Sequence, residues 1–208
     1  MSYDISLKDP VTRETIQLPY ARLMTGGMMQ VDYDSETGRF TPKPNKEAWL
    51  NITYNYARYY YEATEGDARF AHEEVSSIGA DGKRGPMQTK YGIRGIYGKT
   101  GAESVPMLED VIRRIEGKYK DENGGWITTE RKSRRLVDNF TGKEVSLDEY
   151  FYMVRNGDNN FHWEEFTERV SEGDTSGYWK STAANALRPL HQLIAMAKLR
   201  PDGIWDGD

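Results

Sequence analysis

Apolar and polar positions alternate through the N-terminal segment. Tyr3, Ile5 and Leu7 are separated by polar residues, and Ile16, Leu18 and Tyr20 repeat the pattern after a Lys8-Asp9-Pro10 turn. Val31 and Tyr33 lead into Asp-Ser-Glu-Thr-Gly, where Gly38 allows a tight reversal into Phe40, before Pro42 and Pro44 interrupt pairing. The pattern predicts antiparallel hairpins. From Trp49 two periods compete. Leu50, Ile52, Tyr54 and Tyr56 alternate as in a strand, whereas Trp49, Ile52, Tyr56, Tyr59, Tyr60 and Ala63 share a helix face. β-Branched and aromatic residues fill the first half, which predicts a strand near 49–54 and a helix near 56–63. Residues 64–91 are polar and carry Gly66, Gly79, Gly82 and Gly85, as expected of a long polar insertion.

The period then becomes helical. Val105, Leu108, Val111, Ile112 and Ile115 lie on one face, with Thr100 or Ser104 as cap, Pro106 in the tolerant first turn and Gly117 near the end. The stretch from Gly124 to Val145 has hairpin character around Trp126 and Leu136. Ser146 and Glu149 then form a capping-box pattern for a short helix through Met153. Residues 156–175 read as loop. The last helix opens at Thr182, buries Leu187, Leu190, Ile194 and Ala197, and stops at Pro201. Pro189 inside it predicts a kink or restart. The sum is an α+β fold in one compact domain, residues 1–208, with N-terminal antiparallel hairpins packed on several helices. It carries the 64–91 insertion and a variable hairpin and helix region around 118–178.

Composition narrows the chemistry. The 208 residues suffice for one sizeable core, and five Trp, fourteen Tyr and six Phe supply bulky burial. Without cysteine there is no disulfide, thiolate metal site or cysteine nucleophile. The first residues have no signal-peptide pattern and no run of apolar residues is long enough to span a bilayer, so the cytoplasm is expected. A net charge of −5 argues against nucleic acid as a direct partner.

The segment "GIRGIYGKTGAES", residues 92–104, invites a phosphate-loop reading. With Lys99 as the lysine, the first glycine of that motif would fall on Ile93, so the spacing fails. The polar Lys83–Tyr91 stretch also replaces the buried strand that should feed such a loop. A weaker expectation survives, that Arg94, Lys99 and Thr100 hold a small anion, such as a nucleotide phosphate, at the helix start.

Other chemistry is sparse. The three histidines, His72, His162 and His191, lack metal-ligand spacing, and neither a metal nor a cofactor is expected. His162 with Glu165 could be half a metal site, and is more simply a surface pair. His191 reads as a boundary histidine. There is no Gly-x-Ser-x-Gly elbow, so a hydrolase would have to rest on carboxylates, with His162, Glu164 and Glu165 as its candidates. The chemistry thus favours a protein that is not an enzyme. Trp205, among Asp202, Asp206 and Asp208, is expected to fold back on the core. Tyr54, Tyr56, Tyr59, Tyr60 and Tyr61 are too many rings for one buried face, so Tyr56, Tyr59, Tyr60 and Tyr61 are candidate partner contacts, together with the 64–91 insertion.

The blocks "LNITYNY", "GIRGIYGKTGAES" and "LRPDGIWDGD" resemble, in this order, a family of small uncharacterised proteins of bacteriophages, prophages and bacterial genomes. The resemblance runs from about Trp49 to Asp208, with departures at 64–91 and 118–178, and brings no catalytic residue with it. It implies a phage or mobile-element accessory protein that acts by binding, as an inhibitor of a host or defence protein. The alternative is a small-ligand binder or sponge for a nucleotide or other anion.

Overall fold

The N-terminal alternation does form strands: Tyr33 pairs with Phe40 in the expected hairpin, whereas Ile5 and Gln17 find their partners farther along the chain. The computed structural model describes residues 2–75, 85–157 and 159–208. In chain order the strands and helices are β1 (Ser2–Lys8), β2 (Gln17–Arg22), β3 (Met24–Thr25), β4 (Met28–Met29), β5 (Val31–Asp34), β6 (Arg39–Pro42), β7 (Asn45–Glu47) and β8 (Trp49–Thr53). They continue as α1 (Ala57–Thr64), β9 (His72–Val75), β10 (Met87–Lys90), α2 (Gly101–Tyr119), β11 (Thr128–Asp138), α3 (Leu147–Arg155), β12 (Phe161–Ser171), α4 (Ala183–Leu199) and β13 (Ile204–Gly207). With antiparallel strand pairs, helices and a helix near the C-terminal end, this is an α+β fold. Among the described residues, no helix is long and apolar enough to cross a membrane.

Contacts group the chain into two compact units, Met1–Trp126 with Gly173–Asp208, and Ile127–Glu172. In the first, β1 is the middle strand of an antiparallel sheet ordered β13-β1-β8, with Ile5 opposite both Leu50 and Gly207. A bridge between Lys8 and Thr15, the Lys8 ammonium on the Thr15 hydroxyl and an amide bond from Ile16 to Leu7 tie β1 to the segment that follows it. β2 pairs with β7, and the chain between them folds into the short hairpins β3–β4 and β5–β6. Tyr3, Ile5, Leu7, Leu50, Ile52 and Trp205 are buried on or beside the sheet. α2 packs on α4, burying Leu108, Val111 and Ile115 against Leu190, Ile194 and Ala197. Each such side chain contributes about 1.5–3 kcal/mol. Thr182 caps α4 as expected, but the helix does not restart at Pro189 and runs through to Leu199.

The second unit lies within the stretch expected to be variable. β11 and β12 form an eleven-residue antiparallel ribbon, Thr128 opposite Ser171 and Asp138 opposite Phe161, with α3 in the connection. Both halves of the Ser146–Glu149 capping box are made. Residues 161–171 are therefore strand rather than loop. The ribbon is held by charge as well as by its ladder: Arg134 meets Glu165 and Arg135 meets Glu164, each at 2.8 Å, and these residues oppose one another in register. A strand whose partners are charged shows no apolar alternation to read.

Part of the 64–91 insertion, residues 76–84 with Gly79 and Gly82, lies outside the described residues. What is described on either side pairs as β9 with β10, His72 opposite Lys90.

Candidate functional site

The glycine-paced segment is occupied by the protein itself. α2 begins at Gly101 with Thr100 as cap. The Thr100 hydroxyl accepts from the Glu103 amide, and the Glu103 carboxylate accepts from the Thr100 amide at 2.8 Å. The next two free amides go to the chain after α4: Gly101 donates to the Gly203 carbonyl at 2.7 Å and Ala102 to that of Pro201 at 2.9 Å. No main-chain donor remains at this helix start for an anion. The expectation for Thr100 is thus corrected, because capping and the C-terminal segment saturate the amides that a phosphate would need.

Strand β13 threads between β1 and this segment. Gly98 donates to the Trp205 carbonyl, and Trp205 donates to that of Lys99. The Trp205 indole, 1% exposed, donates to the Ser104 hydroxyl at 2.7 Å, which in turn donates to the Gly101 carbonyl. Trp205 does fold back on the core. The segments "LNITYNY", "GIRGIYGKTGAES" and "LRPDGIWDGD" are thus neighbours in space, since the first contributes β8 to the same sheet.

Arg94 and Lys99 do border a cleft, of about 560 Å³, with Arg69, His72, Glu74, Tyr97 and Asp208. Its floor forms where the turn Ile93–Ile96 rests on Phe70, at a contact only Gly95 allows. Arg94 is already engaged. Its Nε donates to the Asp208 main-chain oxygen at 2.8 Å, Nη1 to Glu74 at 3.0 Å and Nη2 to the Tyr54 hydroxyl. Burial alone would lower the Arg94 pKa, but Tyr54 and Glu74 outweigh it and hold the guanidinium firmly charged. Burial also pushes the Tyr97 and Tyr54 hydroxyls up, so both stay neutral. Arg94 therefore ties Asp208, just after β13, to β9, a positioning role rather than that of an open anion receptor. Lys99 is exposed, and its ammonium makes no bond with any described residue.

The tyrosine cluster is mostly core. Tyr56, Tyr59 and Tyr60 are 0% exposed, and each hydroxyl donates to a main-chain carbonyl, of Tyr178, Ser181 and Ala186 respectively. The premise that so many rings exceed one buried face overlooks these acceptors, which let a phenol be buried without an unmet donor. As partner contacts these three are corrected. Tyr61, 42% exposed, is the one ring of the four that reaches solvent.

What the tyrosines hold is the loop 174–182. Asn185 donates its amide to the carbonyls of Gly177 and Lys180, Asn55 donates to that of Trp179, and Tyr178 donates to that of Asn51 at 3.0 Å. Trp179 stands on this fixed backbone at 57% exposure. Beneath it runs the Gly26-Gly27 turn of the β3–β4 hairpin. A side chain at Gly27 would come within 2.5 Å of Tyr178 and 3.1 Å of Trp179. The hairpin exposes Met24, Met28 and Met29, and the flanking chain exposes Leu23, Val31, Tyr33 and Phe40. Sequence reading missed Trp179 because the loop lacks any period, and the Met-rich turn because Met carries no strand signal.

The hydrolase candidates do not converge. His162, Glu164 and Glu165 lie on β12, where Glu164 and Glu165 point to opposite faces and each is paired with arginine. His162 contacts Asn139 Oδ1 at 2.6 Å, and its i, i+3 relation to Glu165 is no shared face on a strand. His191 is exposed on α4. Among the described residues no three His, Asp or Glu side chains gather as metal ligands. Comparisons with protein-family models, curated proteins and solved structures find no match.

Proposed function

We propose that this protein acts by binding another protein, through the surface formed by the β3–β6 hairpins and the Trp179 loop. The observation that carries the reading is an exposed tryptophan on a pinned loop, packed against the Gly27 turn of a hairpin that exposes three methionines. A large ring on a fixed backbone loses little entropy on binding, and methionines adapt to whatever faces them. Two-stranded ribbons this short are marginal in water by themselves, which also favours a surface that is covered in use. The family resemblance adds the setting, a phage or mobile-element accessory protein whose partner is a host or defence protein.

The test compares capture by the parent protein, Trp179→Ala and Met28→Ser from lysates of defence-bearing strains. A stoichiometric partner held by the parent and lost by both variants is expected, with Arg134→Ala on the second unit retaining it. A partner retained equally by all of them would refute this surface. The small-anion reading has less behind it, because Arg94 and Thr100 are already engaged. A phosphate-bearing compound at 100 times its dissociation constant would stabilise the fold by about 2.7 kcal/mol, and the absence of any thermal shift retires that reading.

A further inference from the structure

Tyr61 lines a second cleft, of about 470 Å³, whose wall also includes Glu62, Glu65, Thr89, Lys90 and Tyr91. α1 supplies Tyr61, and Glu65 caps the end of this helix, its amide donating to the Tyr61 carbonyl at 2.9 Å. β10 supplies Thr89 and Lys90 and runs on into Tyr91 and Gly92. Gly92 has φ of 149°, which a side chain would resist. A Cβ there would also stand 2.9 Å from the Tyr61 ring, so glycine is what lets the ring lie against the backbone. At its far end Tyr61 accepts from the Tyr3 hydroxyl at 3.3 Å, which fixes the ring.

The charges of this cleft are unequally matched. Glu62 is held by the Lys118 ammonium at 2.9 Å and the Tyr119 hydroxyl at 2.6 Å. Lys90 is paired with Glu74 at 3.3 Å, and Thr89 donates to Glu73 at 2.6 Å. The Glu65 carboxylate has no hydrogen bond or ion pair with any described residue. What remains is one carboxylate without an ion pair among the described residues, beside two tyrosine rings. An anion would meet that charge, and a bare metal ion would find one carboxylate and no set of ligands. A neutral apolar ligand would make no use of it.

We infer that this cleft binds an organic cation, the guanidinium or ammonium head of an arginine- or lysine-type chain, with the apolar stem on Tyr61 and Tyr91 and the charge facing Glu65. Aromatic faces attract such cations, and the carboxylate adds a directional partner. The site shares no residue with the Met and Trp179 surface, so neither reading depends on the other.

The test is a titration of tyrosine-labelled protein with Nα-acetyl-arginine methylamide, followed by the ring resonances of Tyr61 and Tyr91. The uncharged isostere Nα-acetyl-citrulline methylamide is the control. Saturable shifts are expected from the arginine compound, with a dissociation constant of about 1–20 mM, and not from citrulline. Glu65→Gln keeps the shape and should weaken binding about three- to fivefold. Tyr61→Leu should weaken it by a similar factor, with an unchanged urea midpoint as the folding check. Equal responses to arginine and citrulline, no response at about 50 mM, or unchanged affinity in Glu65→Gln would overturn the proposal. A pentapeptide with one central arginine separates the sources. Tighter binding than the single residue assigns the cation to a protein side chain, and equal binding assigns it to a free small cation.

Discussion

Gly101→Ala separates local propensity from tertiary packing, because the two predict opposite signs. At the start of α2, alanine should stabilise by up to about 1 kcal/mol on helix propensity alone. Packing around Gly101 opposes that gain and outweighs it. A Cβ at Gly101 would lie 2.6 Å from the Arg200 carbonyl oxygen, 3.0 Å from that of Ala197 and 3.1 Å from Pro201 Cα. All of these are backbone atoms, so no side chain can swing aside, and the segment between α4 and β13 must move. Overpacking of this kind costs about 1–3 kcal/mol. The same displacement loosens the bonds from Gly101 to Gly203 and from Ala102 to Pro201, each worth about 0.5–1.5 kcal/mol. The net expectation is a destabilisation of about 1–3 kcal/mol, a fall in Tm of very roughly 2–12 °C for a chain of this size. Gly117, later in the same helix, has nothing within 4 Å of its would-be Cβ, and Gly117→Ala should stabilise by about 0.5–1 kcal/mol. Urea unfolding of both variants measures the contrast. Equal stabilisation by the two substitutions would refute the close approach of α2 to the 197–203 segment.

Tyr60→Phe removes a fully buried hydroxyl from the Ala186 carbonyl and should cost about 1–2 kcal/mol in urea unfolding, whereas Trp179→Ala, on the surface, should stay within about 0.5 kcal/mol of the parent. Asp67 is one of the acid-sensitive groups. Hydrogen bonds from Arg69 and Arg114 hold its carboxyl well below the usual carboxylate range, so the folded state binds its proton less readily than the unfolded one. Its stabilisation is then complete above the unfolded value, about 3.9, and is lost as pH falls toward the folded value. Asp67→Asn should lower the urea midpoint at neutral pH and flatten its decline below about pH 4. Parallel acid limbs in parent and variant would contradict that assignment.

The two clusters singled out in the sequence turned on what neighbours supply. Arg94 and Thr100 look like receptors for an anion when only their own segment is visible. Glu74, Tyr54, Asp208 and Glu103 answer their donors, and of these only Glu103 is close enough in sequence to be foreseen. Tyr56, Tyr59 and Tyr60 look like excess surface rings until the carbonyls of residues 178–186 are placed over their hydroxyls.

By itself the sequence determined the elements whose signals are local. The helical period of α2 and α4, the Thr182 cap, the Ser146–Glu149 capping box and the burial of Trp205 all follow from spacing of a few residues or from one large apolar side chain. Only the tertiary structure decided what covers each face: β8 and β13 rather than the next segment against β1, arginine opposite glutamate along β12, and carbonyls of Pro201 and Gly203 at the start of α2. The reason is physical. Periodicity records that one face of an element leaves water, and it is blind to the partner. Main-chain donors and acceptors, which every residue carries, complete these contacts without leaving a mark in the side-chain pattern.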